Sequence, residues 1–197
     1  MERQTVADKL TALLNGPSAT VAPRLLGCRL VRQLGDTEVS GRIVEVEAYS
    51  QEDAASHSYR GETERTRVMF GPPGHSYVYF TYGMHYCCNV VTGARGFGSG
   101  VLIRALEPLT GEPLMSHNRH GLSGLVLTNG PAKLCQALGI DRRLNGHDLR
   151  TGPLRLMIEP PLEQTDIIQT TRVGISKAQD VPWRFYIKGN PYVSKPR

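Results

Sequence analysis

The stretch Ser76 to Val91, SYVYFTYGMHYCCNVV, limits the fold more than any other part of the chain. Aromatic and β-branched residues alternate along it, break at Tyr82-Gly83-Met84-His85, and resume from Tyr86 to Val91. That is the pattern of two strands joined by a tight loop containing one glycine. The tip carries a tyrosine and a methionine where hairpin tips usually carry Asn, Asp or Ser. Large apolar side chains at a turn either pack under their own fold or meet something outside it. For an apolar turn taken alone, packing is the commoner use.

Around this hairpin the sequence predicts short elements. Val6, Leu10, Leu13 and Leu14 recur at helical spacing over Thr5 to Leu14, and Asn15-Gly16-Pro17 stops that helix. A second short helix is expected over Val21 to Leu26. Gly27 to Leu34 and Glu38 to Tyr49 read as strands around Gly35-Asp36. In the second of these a period of two puts Val44, Val46 and Ala48 on one face, and Ile43, Glu45, Glu47 and Tyr49 on the other. Val101 to Glu107 reads as a strand with Leu102, Arg104 and Leu106 on one face. A short helix is expected over Glu112 to His120, and another opens at Asn129-Gly130-Pro131 and stops at Gly139. Leu154 to Ile158, Ile167 to Ile175 and Arg184 to Lys188 are further strand candidates. The expected class is α+β: one domain over residues 1–197, with a curved, mostly antiparallel sheet, short helices around it and a protruding hairpin.

Composition narrows the function classes. With 197 residues, 40% hydrophobic and 21% charged, the chain has enough apolar content for a sizeable core, and no apolar run is long enough to span a bilayer. The N-terminal MERQTVADKL lacks the apolar segment of a secretory signal. Cys28, Cys87, Cys88 and Cys135 suggest no disulfide framework, so a reducing compartment is expected. A net charge of +5 is consistent with a polyanionic partner, although many basic proteins bind nothing acidic.

Several residues can carry chemistry. Glu47 shares a strand face with Tyr49, and partial burial beside an aromatic can tune a carboxylate for activating water. Glu45 competes equally by spacing, and a solvated carboxylate is the plainer reading of either. Arg104 lies in the otherwise apolar VLIRALEP and must find a carboxylate, a phosphate or water; a structural pair with Glu107 or Glu45 is the alternative. Asn89, inside a strand, is either paired to backbone or aimed into a pocket. Tyr77, Tyr79 and Tyr82 can form a stacking platform for nucleobases, though aromatics in strands more often pack a core. His57, His75 and His85 have no metal-ligand spacing, so no metal site is expected. The absence of GxGxxG and Walker A patterns argues against a nucleotide cofactor.

Taken together, GRIVEVEAYSQEDAASHS, RTRVMFGPPGHSYVYFTYGMHYCCNVV, VLIRALEP, NGPAKLCQALGI and RFYIKGNPYVS resemble the alkyladenine (3-methyladenine) DNA glycosylase family. The blocks run in the family's order from Leu25 to Ser194. The resemblance implies a base-excision enzyme that flips alkylated or deaminated purines out of duplex DNA and hydrolyses the N-glycosidic bond using water; with no metal-ligand or nucleotide-binding pattern in the sequence, no cofactor is expected. By motif, Glu47 matches the base that activates water and Arg104 an arginine that positions it. Tyr49, His57, Tyr79 and Asn89 match base-pocket residues, and Tyr82 the side chain that fills the gap in the stack. His85 departs from the aromatic found in some members, and SHS replaces the usual AHS at His57. Arg60, Arg65, Arg67, Arg142, Arg143 and the helix start at Gly130-Pro131 are candidate contacts to the DNA backbone. No lysine sits at a motif position for Schiff-base chemistry, which implies a monofunctional enzyme. A monomer acting on damaged double-stranded DNA, with no membrane and in the cytoplasm near the nucleoid if bacterial, is expected. A non-catalytic protein recognising damaged DNA through the same hairpin is the alternative, and an RNA-binding module a third reading.

Overall fold

The computed structural model describes residues 6–81 and 83–194. Two short helices, α1 (Val6–Leu14) and α2 (Ser18–Leu25), precede strands β1 (Arg29–Leu34) and β2 (Thr37–Ser50). The hairpin follows as β3 (Ser76–Thr81) and β4 (His85–Val91), then β5 (Ser99–Thr110), α3 (Glu112–Asn118) and α4 (Pro131–Ala137). Strands β6 (Leu154–Met157), β7 (Ile167–Thr170) and β8 (Arg184–Ile187) complete the order. The second helix begins three residues earlier than the sequence suggests, and β7 ends at Thr170 instead of Ile175 because the chain then turns toward β2. Four short 3-10 turns, at Arg67–Phe70, Gly124–Leu127, Arg142–Leu144 and Gln164–Asp166, have no periodicity long enough to predict.

The eight strands among the described residues join one curled sheet, and each of their pairings is antiparallel: the order is β3-β4-β5-β2-β1-β6, with β8 bridging β2 and β7. Strand β2 is the axis. Along one edge it pairs with β5, and along the other it pairs first with β1 and then with β8. One sheet face buries the main core. Leu10, Leu13 and Leu14 of α1, Val21, Ala22 and Leu25 of α2, and Leu134, Cys135 and Ala137 of α4 close over Val78, Cys88, Val90, Val101 and Ile103. Each Leu, Val or Ile side chain removed from water here contributes about 1.5–3 kcal/mol, enough to hold helices too short to persist alone. Gly139, at φ +60°, ends α4 as expected; the Ile140 N–H then bonds back to the Cys135 carbonyl at 2.8 Å.

The strict alternation expected along β2 and β5 fails at one place. Ile43 pairs with Leu106, Glu45 with Ala105 and Val46 with Ile103, so Val44 and Arg104 are extra residues in facing bulges. Each bulge changes the parity of its strand. Ile43 and Leu106 therefore join Val46 and Ile103 in the core, while Val44 lies outside that cluster, the reverse of the sequence expectation for Ile43, Val44 and Leu106.

The glycine-rich connection before β5 packs against the loop that follows β2. Ser58 Oγ donates to the Gly98 carbonyl at 2.8 Å and the Gly98 N–H donates to Gln51 Oε1 at 3.0 Å. A Cβ at Gly98 would stand 2.5 Å from Ser58 Cβ and 2.7 Å from Phe70 Cζ. Gly98→Ala should therefore destabilise the protein by about 1–3 kcal/mol, read as a lowered urea midpoint at unchanged slope.

Candidate active site

The face of the sheet turned away from the main core carries a row of side chains set by strand register. Tyr77 lies opposite Asn89, Asn89 opposite Leu102, Leu102 opposite Glu47, and Glu47 opposite Arg184. Tyr79, Cys87 and Tyr49 stand two residues along on the same face. Pairing geometry thus brings together residues more than a hundred positions apart, on rigid strands instead of loops.

At the middle of the row is a buried charge cluster. Glu45 and Glu47 are both fully buried, and Arg104 spans them: its Nε donates to Glu45 Oε1 at 3.1 Å and its Nη1 to Glu47 Oε2 at 3.2 Å. Glu47 Oε2 also accepts from the Tyr49 hydroxyl at 2.8 Å, and Oε1 from the Val173 N–H at 2.8 Å. Glu45 is more fully occupied. Its Oε1 accepts from Arg184 Nε at 2.7 Å and from Ser194 Oγ at 2.8 Å, and its Oε2 from the Ser194 N–H at 2.6 Å. Burial alone would lower the Arg104 pKa, but Glu47 and then Glu45 hold it above the ordinary value. Burial and then the Glu47 carboxylate push the Tyr49 phenol well up, so it remains a proton donor. Two carboxylates and two guanidiniums balance, as buried charge requires.

Above this cluster opens a cavity of about 1240 Å³. Tyr49, Arg104 and Val173, the three donors to Glu47, all line it, as do His57, Tyr77, Tyr79, Cys87 and Asn89. Glu47 lies directly beneath them. Tyr77 and Tyr79 stack with centroids 5.5 Å apart, and the His57 ring meets Tyr79 edge-on at 4.5 Å. His57 Nδ1 is 3.1 Å from the Tyr77 hydroxyl. Asn89 Nδ2 donates to the carbonyl of Tyr77 at 3.1 Å, so this strand asparagine is both paired to backbone and present in the cavity wall. His57 keeps part of its surface in water, but crowding by neighbouring side chains, followed by the positive charge of Arg65, holds the imidazole below its ordinary 6.5. Burial raises the Tyr77 and Tyr79 phenols.

The loop-borne parts are anchored by a pair that the sequence reading passed over. Arg172 is buried and binds both carboxylate oxygens of Asp53 and the Ala48 carbonyl, while its guanidinium lies 4.8 Å from the Tyr49 ring centroid and 5.4 Å from that of Trp183. Arg184, Ser194 and Val173 were missed as well. The reasoning applied to Arg104, that an arginine among apolar residues must find an anion, holds equally for Arg184 in WRFYI.

The five arginines proposed for backbone contact are all exposed and none lines the cavity. Arg67 faces Glu62 at 3.4 Å and Arg143 binds Asp141 at 2.7 Å, whereas Arg65 lies over the Tyr79 ring. Gly130 and Pro131 line the cavity, as do Lys133 and Lys177. Tyr82 lies outside the described residues. Met84 is 69% exposed and Phe80 49%, so the methionine does not pack under the turn. No group of three or more His, Cys, Asp or Glu among the described residues is arranged to hold a metal, and none of the described helices is long and apolar enough to cross a membrane.

Fold and site together define an α+β protein with an aromatic-walled cavity set over a buried carboxylate–arginine cluster. Comparison with known proteins gives the family. Residues 12–191 match the family described as methylpurine-DNA glycosylase (MPG), and the chain belongs to that family. It is accordingly a DNA glycosylase, a hydrolase of N-glycosyl bonds. Among similar proteins, one from Carboxydothermus hydrogenoformans is 56% identical over 89% of this chain and 92% of its own length. Another, from Methanoculleus marisnigri, is 56% identical over 90% of this chain and 94% of its own. A third, from Nitrosospira multiformis, is 48% identical over 91% and 90%. All three carry the name "Putative 3-methyladenine DNA glycosylase".

The depressed pKa of His57 has a consequence for stability. The unfolded chain takes up a proton as pH falls through 6.5, while the folded protein resists until lower pH. This residue therefore lowers stability as pH drops below about 6.5 and has no effect above it. His57→Gln should flatten the acid side of the plot of Tm against pH between 7 and 5, leaving Tm differences above pH 7 independent of pH.

Proposed function

We propose that the chain removes alkylated or deaminated purines from double-stranded DNA by flipping the damaged nucleotide into the cavity and hydrolysing its N-glycosidic bond with a water activated by Glu47. The observation that carries this reading is the hydrogen-bond tally at Glu47. A carboxylate offers about four lone-pair sites. Tyr49, Arg104 and Val173 fill three, leaving one acceptor position on Oε1, the oxygen held only by the Val173 N–H. A water there would be oriented by a fixed carboxylate, with Arg104 beside it.

The chemistry suits these groups. Alkylation at N3 or N7 makes the purine cationic and a good leaving group, so little acid assistance is needed. The enzyme supplies a nucleophilic water and a negative charge near the oxocarbenium-like sugar, and one carboxylate serves both needs. Tyr49, Tyr79 and His57 form the walls for the base, and Asn89 presents an amide for discriminating among purines. Flipping costs a few kcal/mol, least for a damaged pair. We assign Tyr82 to filling the vacated stack, a role that rests on the YGM motif and offsets part of that cost. The cavity is larger than the roughly 300–1,000 Å³ of ordinary small-molecule sites. That leaves room for sugar and phosphate as well as base, with the exposed arginines Arg60, Arg67, Arg142 and Arg143 and the Gly130-Pro131 turn available to the flanking backbone. We further propose a monomer without lyase activity, acting in the cytoplasm on nucleoid DNA if its source is bacterial.

Single-turnover release of free base from duplexes carrying one 3-methyladenine, 7-methylguanine, hypoxanthine or ethenoadenine tests the proposal. Glu47→Gln should lower the rate about 10²–10⁴-fold while binding to lesion DNA survives. The wild-type product strand should stay intact until treated with hot alkali. An unchanged rate in the variant would remove Glu47 from the mechanism. Breaking a buried ion pair can cost about 3–5 kcal/mol. Here Arg104 keeps Glu45 as partner, so the variant should remain folded.

The wedge assignment has its own readout. Tyr82→Ala should reduce the preference for lesion over undamaged duplex and leave the slope of log K against log salt unchanged, since phosphate contacts set that slope. A lesion preference equal to wild type would remove Tyr82 from the mechanism.

A further inference from the structure

Two guanidiniums lie against tyrosine rings of the cavity wall, and neither lines the cavity itself. Arg172 is 4.8 Å from the Tyr49 centroid and Arg65 is 5.7 Å from that of Tyr79. Their surroundings differ. Arg172 grips both oxygens of the buried Asp53, so beyond its immediate contacts the pair is close to neutral. Arg65 has no ion-pair partner among the described residues, and its exposed side chain leaves a full positive charge beside the ring. That charge reaches the wall groups. It lowers the His57 imidazole after desolvation has done so, and it pulls the Tyr77 phenol down against the larger upward effect of burial.

We propose that Arg65 is a specificity-determining residue that weakens the preference of the pocket for a positively charged purine over a neutral one. The proposal rests on the reading of the cavity as a base pocket. An aromatic face attracts a cation through its quadrupole. A guanidinium already seated on the Tyr79 ring draws on the same electron density and repels a second cation brought up to that ring. A neutral purine feels neither loss. Arg65 thus sets a ratio, moving the pocket away from exclusive use of cationic leaving bases toward tolerance of uncharged ones. Contact with a DNA phosphate would have a different signature, weakening binding of every substrate alike.

The test compares single-turnover release of 7-methylguanine, whose base is cationic, with release of hypoxanthine, whose base is neutral, from duplexes otherwise identical in sequence. Arg65→Gln should raise the 7-methylguanine-to-hypoxanthine rate ratio about 2–5-fold, the range of an exposed cation–π interaction. The gain should shrink as salt is raised, because Arg65 is exposed and its field is screened. Arg65→Lys keeps the charge and should leave the ratio near that of wild type. A ratio unmoved in Arg65→Gln, or equal losses on both bases, would overturn the proposal; so would a Lys variant that behaves like Gln. A wild type that releases neither base would instead overturn the base-pocket reading, and this inference with it. Equal urea midpoints for the three proteins exclude a folding artefact.

Discussion

The structure depends on Arg104 being shared by two buried carboxylates. A guanidinium has donors enough for both, and the opposing bulges at Val44 and Arg104 bring Glu45 and Arg104 out of the core on the same side of the sheet. Without the bulges, alternation would drive Leu106 and Arg104 to one face and Ile43 and Glu45 to one face, and apolar and charged groups would compete for the same space. With them, the charged cluster stands on one side of the sheet and the main apolar core on the other. The cluster also ties distant segments to β2: Arg184 from β8, Ser194 from the C-terminal segment and the Val173 N–H from the turn after β7.

The division of labour between the two glutamates follows from their partners. Glu45 receives four donors and connects β5, β8 and the C-terminal segment, so its role is to complete the charge balance and hold Arg104 in place. Glu47 receives three, each from a residue that also lines the cavity. Spacing along the strand could not separate them, because both stand on the same face at positions two apart. What separates them is the count of hydrogen bonds from β8 and from residues 172–194, and strand periodicity carries no information on that count.

Strong periodicity made the hairpin, the long β2 and β5 strands and the helix opening at Pro131 readable from sequence, and strand register then gathered Tyr49, Tyr79, Asn89, Glu47 and Arg104 on one face. The family motifs named those residues; composition alone would have left Glu47 and Asn89 undecided. Three things were hidden. Bulges shift the face of Ile43 and Leu106, and a period-two reading has no term for an inserted residue. The end of β7 at Thr170 depends on the pull of Glu47 and Asp53 on residues 172 and 173, which is a tertiary effect. Met84 is exposed although apolar turns usually pack, and no local pattern distinguishes a side chain kept free for a partner from one turned inward.

Strands supply Tyr49, Tyr77, Tyr79, Asn89 and Arg104 to the wall, but His57 and Val173 come from loops, and loops are the mobile part of a site. The Arg172–Asp53 pair answers for both at once. Asp53 lies in the loop that presents His57, and it caps that loop through the Ala55 N–H at 3.0 Å. Arg172 is the neighbour of Val173 and also holds the Ala48 carbonyl on β2. One ion pair therefore fixes the histidine wall, the N–H donor to Glu47 and the back of the Tyr49 ring relative to the same strand. Desolvation makes such a pair a poor source of net stability, so its value lies in position. It holds two loops to the tolerance that the proposed water and stacked base would require, where apolar packing of equal strength would let them slide.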